Sequence, residues 1–354
     1  MEIREGRADE WFNRVIGWTH PFVKGKDESF QKAKIPGKKK RQVRVAILDT
    51  GFAYCTDSDK KKTSSFKDKV QKAESFLDDE DPGDGWKDDI GHGTAVAYQL
   101  AQVCPDAKLY ICRIARKVNG KTDADRSAVV RALKRLTEDE KWKVDIINMS
   151  FGWEQQDDDV ECALHEMQDK GVLLFASASN FGALGDNNIL YPARSRHVIS
   201  VDAADGLGEP ATFNSSSVSG HTRERFSAPG WKVKGPANER VDGTSYASPI
   251  AVAIAALVLE FARQPPLGKD DEIESYLKKK DGIVRIFRLM SIQKGPEKLL
   301  FLCPWHLLRD KEGTYGGNGE PKSKRFYVAQ QIIYQLRDEF LPRKGKIGQS
   351  LLMD

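Results

Sequence analysis

Val43-Arg44-Val45-Ala46-Ile47-Leu48-Asp49-Thr50-Gly51 is a short apolar run that ends on a carboxylate and a turn glycine. It predicts a buried strand over residues 43–48, with Asp49 just past its carboxyl end. Similar runs follow at 109–114, 144–150, 172–176 and 198–201, and helical patterns lie between them at 93–102, 124–137, 158–170 and 243–263. Strands that alternate with helices of this length imply an α/β fold, a mainly parallel sheet with helices on both faces. Residues 43–264 are therefore read as the main domain, closed where Pro265-Pro266 stops the last helix. Residues 1–42 read as an N-terminal arm. Trp11, Phe12, Val15, Ile16 and Trp18 recur there at helical spacing, Asp9 is the expected N-cap, and a basic loop ends in Lys38-Lys39-Lys40-Arg41. Residues 265–354 read as a mostly helical extension, with patterns near 271–279 and 325–340 and an exposed loop around 313–319.

Composition narrows the function classes. The 354 residues are 40% hydrophobic and 31% charged, enough for a large core and short of the polarity of a disordered chain. Lys+Arg 56 against Asp+Glu 52 leaves a net charge of +4, without the basic excess of a dedicated nucleic-acid or membrane-surface binder. The run Lys38–Arg41 alone reads as a solvated linker rather than a phosphate contact or nuclear signal. The longest weakly polar run, 246–259, is closed by Glu260 and is too short to span a bilayer, so it suits a buried helix. Cys55, Cys104, Cys112, Cys162 and Cys303 form neither a disulfide framework nor a C-x-x-C pair and read as reduced, mostly buried thiols. The first residues lack the apolar segment of a secretory signal, which points to a cytoplasmic protein. Asp78-Asp79-Glu80-Asp81 and Asp157-Asp158-Asp159 lack the alternating ligands and glycine of an EF-hand loop. They are expected to be solvated loops, with no metal and no cofactor.

Three motifs carry chemistry. Asp49 ends the first strand, where open parallel sheets place their sites. Taken alone, an Asp-x-Gly turn is also ordinary. In Asp89-Ile90-Gly91-His92-Gly93-Thr94, two glycines let the backbone approach closely around His92, although a single histidine is more often a packed structural one. Gly243-Thr244-Ser245-Tyr246-Ala247-Ser248-Pro249 leads into the most apolar helix. A serine there lies beside unpaired N–H groups that can stabilise an oxyanion, and it equally serves as an N-cap. Pro249 is expected in the first turn, where its missing donor matters little. Together Asp49, His92 and Ser245 supply orienter, base and nucleophile, in the order Asp, His, Ser.

With these motifs the sequence resembles the subtilisin-like serine peptidases. The resemblance extends over about 43–264 through Ile147-Asn148-Met149-Ser150-Phe151-Gly152, Leu174-Phe175-Ala176-Ser177-Ala178-Ser179-Asn180, Tyr191-Pro192-Ala193, Val198-Ile199-Ser200-Val201 and Phe226-Ser227-Ala228-Pro229-Gly230. It is similar in particular to intracellular subtilase domains of fungal multidomain proteins. The likeness implies the subtilisin-like three-layer fold and a serine endopeptidase acting on a protein or peptide substrate. It implies Asn180 as oxyanion donor, Ser150, Phe151 and Gly152 as one wall of the substrate cleft, and Ala178 and Ser179 across it. The chain departs from the family at Pro249-Ile250-Ala251, at Ser179, and after Gln99-Leu100-Ala101, where no calcium loop has room. It is further expected to keep its N-terminus without a prosegment, leaving restraint to a partner, a fused domain or the C-terminal extension. The rival classes are a catalytically silent peptide-binding scaffold and an ester hydrolase. Against the second stands the absence of a Gly-x-Ser-x-Gly elbow.

Overall fold

The computed structural model describes residues 2–25, 41–53, 68–182, 189–215, 225–269, 271–296, 298–309 and 324–337. Strand β1 (Arg44–Asp49) is buried along all but its first residue. Val45 and Ile47 enter one apolar core while Ala46 and Leu48 enter a second on the opposite face. That division is the period-two geometry of a strand covered on both sides, and it explains why the run is continuously apolar.

Around β1 stand β2 (Val70–Ser75), β3 (Lys108–Arg113), β6 (Ile146–Met149), β7 (Leu173–Ser177), β8 (Ile199–Ala204), β9 (Phe226–Pro229), β12 (Ser291–Lys294) and β13 (Leu299–Leu302). Their order is β12-β13-β9-β8-β7-β6-β1-β3-β2, parallel throughout except for β12 against β13. Two-stranded ribbons β4–β5 (Ala115–Val118, Lys121–Ala124) and β10–β11 (Val233–Lys234, Arg240–Val241) stand apart from this sheet. The chain builds β2 and β3 to one side of β1 and then returns to build β6 on the other. The carboxyl end of β1 is thus a topological switch point, where α/β sheets hold their ligands.

Helices α4 (Arg126–Glu138) and α5 (Asp158–Asp169) cover one face. The other face carries α3 (His92–Val103), α6 (Thr244–Ala262), α7 (Asp271–Leu277), α8 (Lys280–Leu289) and α9 (Lys324–Arg337). Helix α6 is apolar on all sides because it is buried on all sides. By length and apolarity alone it would cross a membrane, yet 89% of its most apolar window lies inside the protein. The three-layer α/β architecture is as expected, and the helix and strand ends lie within a few residues of their predicted places.

Several expectations change. Strands β12 and β13 join the main sheet, so the segment after residue 264 is not merely a helical extension. Leu299–Leu302 is too short an apolar run to announce a strand. In the arm, α1 (Glu2–Arg14) begins well before Asp9, which is no N-cap but pairs with Arg240 (2.9 Å) and Lys234 (3.1 Å). A π-turn, Val15–Thr19, then leads into α2 (His20–Lys24). It rotates the apolar face, leaving Ile16 and Trp18 51% and 40% exposed while Trp11, Phe12 and Val15 are buried. The acidic clusters are not simply solvated. Asp79 pairs with Arg116, Glu80 with Arg113 and Asp78 with Arg131, while Asp157 caps α5 through Val160 N (3.1 Å). Residues 38–40, Cys55 and the loop around 313–319 lie outside the described residues. Arg41 itself reaches Glu274 (2.8 Å).

Trp11 anchors the arm. Its ring packs on Phe12 and Trp305, and its indole N–H donates to Leu302 O at 3.1 Å. Trp11→Ala is expected to lower unfolding stability by about 3–5 kcal/mol, read as a fall in the urea midpoint at unchanged slope.

Candidate active site

His92 opens α3 directly in front of the carboxyl end of β1. Its Nδ1 lies 2.7 Å from Asp49 Oδ1. Against a carboxylate acceptor Nδ1 must carry the proton, which leaves Nε2 as the acceptor of the neutral ring. This closeness requires glycines. A Cβ on Gly93 would lie 2.3 Å from Gly51 O, and one on Gly51, whose φ is +106°, would lie 2.0 Å from Lys87 O. Asp49 also accepts from Thr50 N at 2.8 Å and is 3% exposed, whereas the His92 side chain keeps 22%. Burial alone presses the His92 pKa down. The charge and hydrogen bond of Asp49, with the charge of Asp88, outweigh it and raise the pKa above the ordinary imidazole value.

Ser245 occupies the first turn of α6. Its Oγ donates to Ser150 O at 3.4 Å and, among the described residues, makes no hydrogen bond to His92. The Tyr246 ring sits 5.6 Å from that of His92, and burial, followed by nearby carboxylates, pushes its hydroxyl up to about 12, so it stays neutral. Pro249 lies past the first turn expected for it. It has no N–H to give Ser245 O, the acceptor one helical turn back. Ser150 Oγ donates to that carbonyl instead, at 2.8 Å. Asn148 supports the substitution: its Nδ2 donates to Ser150 Oγ (2.9 Å), and its Oδ1 accepts from Ser248 Oγ (2.8 Å). A fully buried amide at the end of β6 thus moors the helix that carries Ser245. Asn148→Ala takes the acceptor from the buried Ser248 Oγ and a donor from Ser150 Oγ, and is expected to cost about 1–3 kcal/mol of stability, measured by denaturant unfolding.

Asn180 follows β7. Its Oδ1 accepts from Thr244 N (2.8 Å) and Thr244 Oγ1 (2.9 Å). A backbone N–H can only donate, so the amide oxygen is held toward Thr244 and Nδ2 is turned the other way. Ser150, Phe151 and Gly152 directly follow β6. Among the described residues Phe151 and Gly152 make no backbone–backbone hydrogen bond. Ala178 is different from expectation. It is fully buried, its N–H bonds Val201 O and its carbonyl accepts from Leu190 N, both at 3.0 Å. Its side chain has no exposed surface, and its N–H and carbonyl are already paired within the protein. Ser179 is buried as well, and its Oγ accepts from Phe181 N at 3.2 Å.

Residues 40–295 match the sequence profile of the Subtilase family. The chain belongs to the subtilase family. It is similar to the subtilisin-like protease het-Q2 of Podospora anserina, 31% identical over 274 residues that cover 65% of this chain and 73% of that protein. It is likewise similar to subtilisin DY of Bacillus licheniformis, 31% identical over 261 residues that cover 70% of this chain and 85% of the relative. Among solved structures, a lanthipeptide protease superposes with a TM-score of 0.57 at 19% identity, over 75% of this chain and 86% of its own. As a subtilase the protein is a subtilisin-like serine endopeptidase, and its substrates are proteins or peptides.

The candidate site contains groups that sequence reading did not single out. Asp88, Thr50 and Thr94 surround the His92 turn, and Asn148, Ser248 and Thr244 hold the Ser245 turn. Polar residues at strand ends and beside glycines were the available signal, but nothing in the linear order pairs them.

Proposed function

We propose that Asp49, His92 and Ser245 are the catalytic triad of this subtilase and that Asn180 completes its oxyanion hole. The observation that carries the assignment is the 2.7 Å bond from His92 Nδ1 to Asp49 Oδ1 at the switch point of the sheet. It fixes the tautomer in which Nε2 can accept the Ser245 proton. Ser245 Oγ then attacks the scissile carbonyl, and His92 passes the proton to the leaving amine while Asp49 stabilises the imidazolium. The long contact from Ser245 Oγ to Ser150 O is easily exchanged, since hydrogen bonds of this kind often align only when substrate enters. Asn180 Nδ2 and the Ser245 backbone N–H are the oxyanion donors. The unpaired backbone of Phe151 and Gly152 supports their reading as the edge on which an extended peptide adds as a strand.

Labelling by a fluorophosphonate tests the assignment. The adduct is expected on Ser245, identified by peptide mass, and absent from folded Ser245→Ala. A folded wild-type protein that binds peptides yet takes no label supports the silent scaffold instead. The pH profile is a second check. Protonated His92 cannot accept the serine proton, so kcat/KM falls tenfold per unit as pH drops below the His92 pKa. Because Asp49 raises that pKa, the acid limb is expected above the ordinary imidazole value of about 6.5. A limb at or below that value contradicts the coupling.

A further inference from the structure

Asp88 stands four residues ahead of His92 and is half-buried. Its Oδ1 accepts from Thr50 Oγ1 (2.7 Å), Gly91 N (2.8 Å) and Ile90 N (3.3 Å). Its Oδ2 accepts from Thr94 N (2.8 Å) and Thr94 Oγ1 (2.7 Å). A carboxylate has about four acceptor sites, so this one is saturated. The two threonines extend the web. Thr50 Oγ1 accepts from Gly93 N (2.9 Å), and Thr94 Oγ1 from Ala53 N (3.0 Å). Thr50 directly follows Asp49, and Gly91, Gly93 and Thr94 flank His92. One side chain therefore ties the turn that presents Asp49 to the turn that presents His92.

An ordinary helix cap does less. It satisfies one or two N–H groups of its own helix and touches nothing else. The residue at the cap position of α3 is Gly91, which has no side chain to offer. Asp88 caps from outside through Thr94 N and reaches across to β1 as well. Asp49 and His92 come from separate elements, so their separation depends on whatever joins those elements.

We propose that Asp88 is a positioning residue for the Asp49–His92 pair, setting their separation through Thr50 and Thr94 and favouring, by its fixed negative charge, the imidazolium formed during turnover. The inference rests on His92 as the base. The other ionisable groups around the pair are Tyr246 from α6, its ring 5.6 Å from that of His92, and Arg113 from β3, which bonds the backbone next to Asp49. Arg113 bonds Thr50 O (2.6 Å) and Lys87 O (3.2 Å), pairs with Glu80, and reaches Asp89. None of these is altered by substituting Asp88. Thr94 and Thr50 carry no charge, so a change in His92 titration on removing Asp88 reports the carboxylate itself.

The test compares Asp88→Asn with Thr50→Val in the full chain. Asp88→Asn keeps shape and loses both charge and half the acceptors. It is expected to lower kcat by about 10–10²-fold with KM within about twofold, the scale on which small misplacement acts. Its acid limb is expected to move to lower pH, because a negative neighbour of the imidazolium is gone. Thr50→Val leaves the charge and every bond from Asp88 to the His92 turn, removes the strap from Asp88 to β1 together with the acceptor of Gly93 N, and is expected to lower kcat about tenfold without moving the limb. Circular dichroism and urea midpoints establish the folded fraction. Wild-type kcat in either variant, an unmoved limb in Asp88→Asn, or a change confined to KM overturns the proposal. If Asp88→Asn does not fold, Thr50→Val alone decides the positional part by its kcat. Should wild type neither cleave peptide nor take phosphonate, the triad reading falls. The His92 ring titration followed by NMR then still judges Asp88: the pKa falls in Asp88→Asn if the carboxylate acts on the ring, and an unchanged pKa refutes it.

Discussion

Ser245→Ala is expected to lower peptide turnover by about 10⁶, and His92→Ala by a similar factor, the scale on which a subtilase triad acts as a unit. The magnitude is the family's own; the structure supplies the reason that it applies here. Among the described residues the Ser245 Oγ bonds only Ser150 O, a carbonyl that cannot serve as a base. His92 has its tautomer fixed by Asp49. Neither substitution is expected to unfold the protein. The mooring of α6 runs through Ser245 O, a backbone atom that alanine retains, and through Ser248. Initial rates on an unstructured peptide mixture, with urea midpoints in parallel, make the check. Activity within tenfold of wild type in folded Ser245→Ala sinks the assignment.

The second large effect separates two roles of Asn180. Its oxygen holds Thr244 N and Oγ1, and its nitrogen is the proposed oxyanion donor. Asn180→Leu removes both. Turnover is expected to fall by about 10²–10³, or 2.7–4 kcal/mol, again the figure for this family's asparagine. Stability is expected to fall by about 1 kcal/mol, because α6 loses an acceptor for its first N–H. Asn180→Asp keeps the acceptor and removes the donor, so the urea midpoint should stay near wild type at neutral pH while turnover falls at least as far. Ground-state peptide affinity, measured in the Ser245→Ala background, is expected to be unchanged by either. Equal losses in affinity and turnover would place Asn180 in recognition rather than in stabilising the developing charge.

The elements that were legible share one property: their pattern is local. Residues 43–48 read as a buried strand because both of their faces are covered, and 243–263 as a core helix for the same reason. Asp49, His92 and Ser245 were legible because each sits in a turn of unusual small residues and the three follow a diagnostic order. Strand β2 was missed because it is an edge strand, Val-Gln-Lys-Ala-Glu-Ser, with only Val70 and Ser75 buried. The Asp9 cap failed because a helix start depends on where the preceding turns begin to pack, and α1 starts seven residues earlier.

Residue type and order alone thus carried the α/β class, the family likeness and the choice of the three groups proposed to react. Distance carried the rest. That Ala178 is fully buried, that Asp9 is an ion-pair partner, and that β13 closes against β9 depend on where distant segments meet. The same holds for Asp88 and Asn148. Thr50 is 38 positions from Asp88, and Ser248 is 100 positions from Asn148. A hydrogen bond selects its partner through space at about 3 Å, and the chain reports only neighbours along itself. Helix and strand periodicities bridge a few residues. Nothing in the linear order bridges a hundred, so the groups proposed to react could be named before the fold was known, and the groups that hold them in register could not.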